Sequence, residues 1–194
     1  MKDRYPDHTS QRAAVKRDPQ ESLRSSWGLA GHIIKVMEPF RLQPIAGVIW
    51  KPLAVLRDER GWLCELFRQD ELPSGFHPVM TYLSETLPGV ARGPHEHRWQ
   101  TDCFYFLGPS TFKIYMWDNR PDSPTYWCHE TALVGVGNPM MIVVPPGIVH
   151  AYRNVGTEAG LIVNAPNRLY RGDGKQDAID EIRHETDAES PFRI

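Results

Sequence analysis

Three histidines and one aspartate are the residues of this chain whose types and spacing best suit chemistry. His95 and His97 stand two apart in Gly93-Pro94-His95-Glu96-His97, Asp102 follows shortly, and His150 comes after the rigid turn Pro145-Pro146-Gly147. Residues two apart share a face of an extended strand, so His95 and His97 point the same way if this segment is a strand. An imidazole is both a metal ligand and a group that exchanges protons near neutral pH. As ligands, His95, His97, Asp102 and His150 form a donor set suited to Fe(II), Mn(II), Ni(II) or Zn(II), with positions left open for substrate or water. The other histidines, His8, His32, His77, His129 and His184, fall in no motif and read as surface or loop residues.

The elements that must position these side chains read as β-strands. From Ile45 onward, turn signals recur about every 8 to 12 residues, the rhythm of an all-β sandwich or barrel. The segments between them are short and rich in β-branched and aromatic residues: 45–50, 61–67, 79–83, 102–107, 111–117, 140–144 and 161–163. Each suits a strand and is too short for a stable helix. A single helical turn is expected around 177–183. Closing this many short antiparallel strands calls for a barrel or a double-sheet jelly roll, since open edges invite aggregation. Phe104, Phe106, Tyr115, Trp117 and Trp99 read as core. The first 27 residues are polar, without apolar periodicity, and read as an arm or tail preceding a single domain over 28–194.

Composition narrows the function classes. The chain has 194 residues, 22 basic against 24 acidic side chains and three cysteines. A near-neutral balance does not advertise nucleic-acid or membrane binding, and any phosphate must be held by local arginines rather than a general positive field. No apolar run approaches the roughly 20 residues of a spanning helix, and the first residues lack a signal peptide's apolar stretch. Cys64, Cys103 and Cys128 are expected as free thiols used in packing, in a cytoplasmic protein. The 17 prolines discourage long helices and punctuate short strands.

Two stretches together resemble the paired motifs of the cupin superfamily. Gly89, His95, His97, Asp102 and Gly108 follow the first motif; Pro145, Gly147, His150 and Asn154 follow the second. Both in order are a specific signal where either alone is weak. The resemblance implies an all-β cupin jelly-roll β-barrel, a double-stranded β-helix, with these side chains facing its interior. A closer similarity is to the dTDP-4-dehydrorhamnose 3,5-epimerase family, cupins that invert stereocentres beside the ketone of a nucleotide-linked 4-keto-6-deoxy sugar. Arg60-Gly61-x-Leu63-x-Glu65, Gly89-Val90-x-Arg92-Gly93-x-His95, Asp118-x-Arg120-x-x-Ser123-Pro124-Thr125 and Pro146-Gly147-x-x-His150 carry it. The His-x-His also resembles the dTDP-sugar 3,4-ketoisomerases.

By position, the resemblance implies that His95 is the general base, that Arg92 stabilises the enolate, and that His97 or His150 assists. Arg60 and Glu65 fall where the family holds the nucleotide; a guanidinium bonds diphosphate oxygens in pairs. The family's lysine falls on Thr101 and its tyrosine acid near Asn164, while its glutamine and asparagine upstream of Arg92 appear as Met80 and Tyr82. Thr101 and Asn164 therefore enter as substrate-binding candidates beside His150. Asp180, Glu181 and Asp187 are candidates to orient His95, although a solvated charged turn is the simpler reading there. Arg120 with Asp118 reads as a structural pair. The expected partner is a small nucleotide sugar, in a homodimer. The epimerase reading needs no cofactor. Its rivals are a metal-dependent cupin oxygenase or isomerase and a sugar-binding cupin without turnover.

Overall fold

Alternation along one strand, β7 (Asp102–Gly108), shows why the chain folds in layers. Phe104 and Phe106 point to one face and Cys103 and Tyr105 to the other, and all four are buried, so this strand is covered on both sides. The computed structural model describes residues 40–194. The polar arm expected over residues 1–27 lies outside the described residues, as do His8 and His32.

Two sheets form the sandwich. One has six strands in the order β1 (Arg41–Leu42), β9 (Cys128–Gly135), β8 (Thr111–Asp118), β11 (Ile148–Asn154), β6 (Ala91–Glu96), β13 (Ile182–Arg183). The other has five, β2 (Ile49–Pro52), β10 (Met140–Val144), β7, β12 (Gly160–Asn164), β5 (Tyr82–Thr86). A separate hairpin joins β3 (Val55–Asp58) to β4 (Gly61–Cys64). All pairings within the two large sheets are antiparallel except β1 with β9. This is the jelly-roll architecture anticipated from the short strands.

The inner faces meet over Phe104, Phe106, Phe112, Ile114, Met116 and Ile162, with their neighbours from both sheets. Phe106 and Phe112 pack with ring centroids 5.4 Å apart, and Tyr152 stands edge-on to both. Deleting such a ring leaves a cavity that costs ~3–5 kcal/mol. Smaller apolar clusters cover the outer faces, one around Tyr105 and Met141, the other around Trp117, Val149 and Phe192.

The structure differs from the sequence reading near the C-terminus. The helical turn expected over 177–183 falls instead at Asp173–Lys175, and another lies at Gln69–Glu71. The carboxylate-rich segment instead becomes β13, which pairs with β6 so that Arg183 faces His95 and Ile182 faces Glu96. Glycine and aspartate break the local helical pattern upstream, and the backbone partners offered by β6 capture Ile182 and Arg183 as a strand.

Candidate active site

The site lies at one end of the sandwich, where β6 and β11 of one sheet face β7, β12 and β5 of the other. His95 and His97 point into a cleft of about 1650 Å³. Pro94 and Glu96, on the opposite face, are buried, and Glu96 takes Asn119 Nδ2 and His184 Nε2 at 2.9 and 3.0 Å. His150 is the cross-strand partner of His95 in β11, and their rings are 4.5 Å apart, edge to face. Gly93 permits this closeness: its φ is +78°, and a Cβ there would sit 2.5 Å from the His150 carbonyl oxygen.

Asp102 crosses from the other sheet to join them. Its Oδ2 is 3.2 Å from His97 Nε2 and 3.3 Å from His150 Nε2; its Oδ1 accepts from Gln100 Nε2 and Asn164 Nδ2, each at 2.8 Å. Burial works against the carboxylate, but the two histidines hold its pKa well below the usual range. Burial also opposes charge on His97, yet Asp102 and the Asp180 carbonyl, which accepts from Nδ1, outweigh it and push its pKa up to about 9. His95 goes the other way. Burial, reinforced by the neighbouring His150 and His97, holds its pKa well below the ordinary histidine value. The site therefore pairs a buried His97–Asp102 ion pair with an uncharged His95, an imidazole with a lone pair to accept a proton at neutral pH.

The second motif serves mainly to present His150. Glycine is required at Gly147 twice over, since its φ is +75° and a Cβ there would strike Arg120 Cγ at 2.6 Å, and its N–H donates to the His97 carbonyl at 2.9 Å, tying the two motifs together. His150 Nδ1 bonds the Ile148 carbonyl at 3.0 Å. Asn154 belongs to the fold: fully buried, it donates to the carbonyls of Thr86 and Glu158 and accepts from Ser110 Oγ and the Gly156 N–H. The Asp118–Arg120 pair is structural as expected, with two 2.8 Å contacts and further bonds from Ser123 and Thr125 to a carboxylate that is 0% exposed.

Several sequence candidates land elsewhere. Arg60 is exposed at the β3–β4 hairpin and paired with Asp58, and Glu65 is exposed just beyond it; neither lines the cleft. Thr101 is also off the cleft, its backbone bonded to Asn167 at 2.8 and 3.2 Å, while its neighbour Gln100 reaches Asp102. Trp99, read as core, is 64% exposed at the cleft wall. His129 stacks on Trp117, and His184 is partly buried against Glu96 and Phe192, so neither is a simple surface residue. Asn164 and Arg92 do reach the site. Arg92 lines the cleft, with Nε on Thr86 Oγ1 at 3.1 Å and Nη2 on the Glu85 carbonyl at 2.8 Å. Cations that sequence reasoning missed, Arg168, Arg171, Lys175 and Arg183, line the same cleft.

The charged turn near the C-terminus is built into the site. The Asp180 carboxylate accepts the N–H groups of Arg98, Trp99 and Gln100, each at 2.9 Å, and fixes the loop beyond His97. Glu181 Oε1 lies 3.8 Å from His95 Nδ1. Asp187 instead caps Glu189 locally. The family resemblance offers Asp180, Glu181 and Asp187 for this role without choosing among them; pairing of β13 with β6 is what brings the first two to the histidines.

The same cluster fits a divalent metal. One ligand atom from each of His95, His97, Asp102 and His150 falls within 4.8 Å of the others. His150 Nε2 is buried without an aligned hydrogen-bond partner, although Asp102 is near, as expected of a nitrogen free to coordinate.

A jelly roll whose open cleft holds His95 beside a buried His97–Asp102 pair, with arginines on the rim, is a cupin-like fold with its candidate site in that cleft. The chain belongs to the dTDP-4-dehydrorhamnose 3,5-epimerase family, whose sequence pattern matches residues 43–179. It is 38% identical over 122 residues to a probable low-salt glycan biosynthesis epimerase, Agl13, of Haloferax volcanii, covering 62% of this chain and 77% of that one. It is 32% identical over 129 residues to the spore coat polysaccharide biosynthesis protein SpsL of Bacillus subtilis, covering 66% and 84%. A dTDP sugar isomerase from Desulfovibrio desulfuricans shares the fold with a TM-score of 0.67 at 22% identity, over 77% of this chain and 91% of that one. The family membership makes this protein a nucleotide-sugar epimerase.

Proposed function

We propose that the chain epimerises a nucleotide-diphosphate 4-keto-6-deoxy sugar by removing the proton α to its ketone, with His95 as general base. The observation that carries this reading is the uncharged His95 on the wall of a cleft large enough for a nucleotide sugar. Removal of the proton leaves an enolate. Arg92, on the same strand and cleft, supplies positive charge for the developing oxyanion. His97 and His150 hold Asp102, and so set the electrostatics around the base. The diphosphate falls to Arg168, Arg171 and Lys175, which line the cleft where Arg60 does not. The proton transfer itself calls for no cofactor.

Deuterium uptake tests the reading. Incubated with dTDP-4-keto-6-deoxyglucose in deuterium oxide, the protein exchanges hydrogen beside the ketone; no wash-in would falsify the assignment for that sugar.

A second reading rests on the unaligned His150 Nε2. His95, His97, Asp102 and His150 would hold a divalent transition metal, which when bound polarises a carbonyl as a Lewis acid. The two readings compete for one lone pair on His95. Elemental analysis of protein purified without chelators separates them: a stoichiometric metal lost in His97→Ala supports the second.

The hairpin β3–β4 supports a homodimer. Leu56, Trp62 and Leu63 are 64, 56 and 59% exposed there, a patch suited to a second copy of the chain. Light scattering at twice the chain mass is the expected result. Free thiols at Cys64, Cys103 and Cys128 suit a reducing, cytoplasmic compartment. No helix among the described residues is long and apolar enough to cross a membrane.

A further inference from the structure

Inverting a stereocentre requires an acid as well as a base, and the acid must reach the face of the substrate that the base does not. His97 is badly placed for this. It lies just past the end of β6, two residues on from His95, and both its nitrogens are engaged, Nδ1 with the Asp180 carbonyl and Nε2 with Asp102. His150 faces Asp102 through Nε2 and spends Nδ1 on the Ile148 carbonyl. Tyr152 also lines the cleft, but it is 6% exposed and lies in the same sheet as His95.

Tyr82 differs from all three. It begins β5, in the sheet opposite His95, and lines the same cleft. Its cross-strand partner is Asn164, whose amide orientation is fixed from behind: Oδ1 accepts the buried N–H of Cys103 at 3.0 Å, so Nδ2 must point forward. That nitrogen donates to Asp102 Oδ1 at 2.8 Å and to Tyr82 Oη at 2.9 Å. Because an amide NH₂ can only donate, the phenol must accept from it, and its own O–H is left to point elsewhere. Among the described residues no side chain or carbonyl accepts that proton, and Tyr82 is 44% exposed and lines the cleft.

Resting on the epimerase reading, we propose that Tyr82 is the catalytic acid that returns the proton to the face of the sugar opposite His95, with Asn164 as its positioning residue. In the first step His95 takes the proton α to the ketone; the C–H electron pair forms the enolate double bond, and the carbonyl pair moves to oxygen. In the second step the enolate carbon takes the Tyr82 phenolic proton as the C=O re-forms, and the O–H pair stays on the tyrosine oxygen. The Asn164 Nδ2–H bond stabilises that phenolate. Solvent then reprotonates Tyr82 and removes the proton from His95, so nothing is consumed. Burial pushes the Tyr82 pKa up to about 12, which keeps the phenol protonated at neutral pH until the enolate forms.

The test separates exchange from inversion. The full chain and its Tyr82→Phe variant are incubated with dTDP-4-keto-6-deoxyglucose in deuterium oxide; deuterium at carbon is followed by mass spectrometry, and configuration is read after borohydride reduction. In Tyr82→Phe, inversion falls by about 100-fold or more while exchange falls by less than about 10-fold, because His95 still removes and returns hydrogen on its own face. His95→Asn abolishes both. The acid assignment is overturned if Tyr82→Phe inverts within threefold of the unmodified chain, or if exchange and inversion fall by the same factor with unchanged thermal stability. A complete lack of exchange in the unmodified chain instead overturns the epimerase reading beneath it, and Tyr82 with it.

Discussion

Asn154 and Asn164 are alike by every local measure: both end a strand, both are 0% exposed, and both have their amides satisfied. Their partners differ. Asn154 bonds three backbone groups and Ser110, and so ties β11 to β5 and to the turn after it. Asn164 bonds backbone on one side but an ionised carboxylate and a phenol on the other. A buried polar group answered by backbone holds a fold together; one answered by titratable side chains sets up chemistry. The same division separates Asp118, neutralised by Arg120 and two hydroxyls, from Asp102, which faces two histidines.

The largest effect expected is at the base. His95→Asn lowers kcat/KM by about 10³-fold, with little change in thermal midpoint; a loss below tenfold would place the base elsewhere. Next comes the contrast between the asparagines. Asn154→Ala strands several buried groups and costs roughly 3 kcal/mol of stability, while kcat/KM measured below the transition stays within about twofold. Asn164→Ala cuts kcat/KM by at least about tenfold in protein that remains folded. Urea titrations beside steady-state kinetics check both, and equal kinetic losses would erase the distinction.

Two pH effects sharpen it further, measured on chelator-treated protein. His97 has a raised pKa in the folded state, so the stability it contributes is fully present below the unfolded value of about 6.5 and is lost as pH rises through about 9. The stability gap between the unmodified chain and His97→Gln therefore narrows from pH 6.5 to 9; a widening gap contradicts the ion pair. For His95 the sign reverses. Its depressed pKa keeps the base unprotonated, so the acid limb of kcat/KM has an apparent pKa below 6.5. The smallest effect is at the hairpin. Arg60→Ala, which removes only an exposed pair with Asp58, leaves the thermal midpoint unchanged within error.

Much of the barrel was legible in the sequence because its signals are local. Met140–Val144 forms a strand over the expected residues, and the strands over 102–107 and 111–117 extend by a single residue. The strand expected at 79–83 begins instead at Tyr82, and the one at 45–50 at Ile49, because proline and glycine mark where a strand must stop more firmly than where pairing begins. Beyond β1, β3, β6 and β11, which the expected segments also omit, two further strands, β9 and β13, were missed. His129, Glu130 and Thr131 dilute the apolar pattern of the first, and the second exists only because β6 offers it an edge.

For the site, the sequence by itself determined the two motifs and therefore the His95, His97, Asp102 and His150 set, since residue type and a spacing of two in a strand are local properties. Only the tertiary structure decided which of these is charged, because burial and neighbours drive His95 down and His97 up from the same starting value. It also brought Asp180, Glu181 and Gln100 to the histidines, removed Arg60, Glu65 and Thr101 from the cleft, and set Tyr82 beside Asn164. Those placements depend on which strands pair and in what register, and register is fixed by the whole sandwich closing over its core rather than by any one segment.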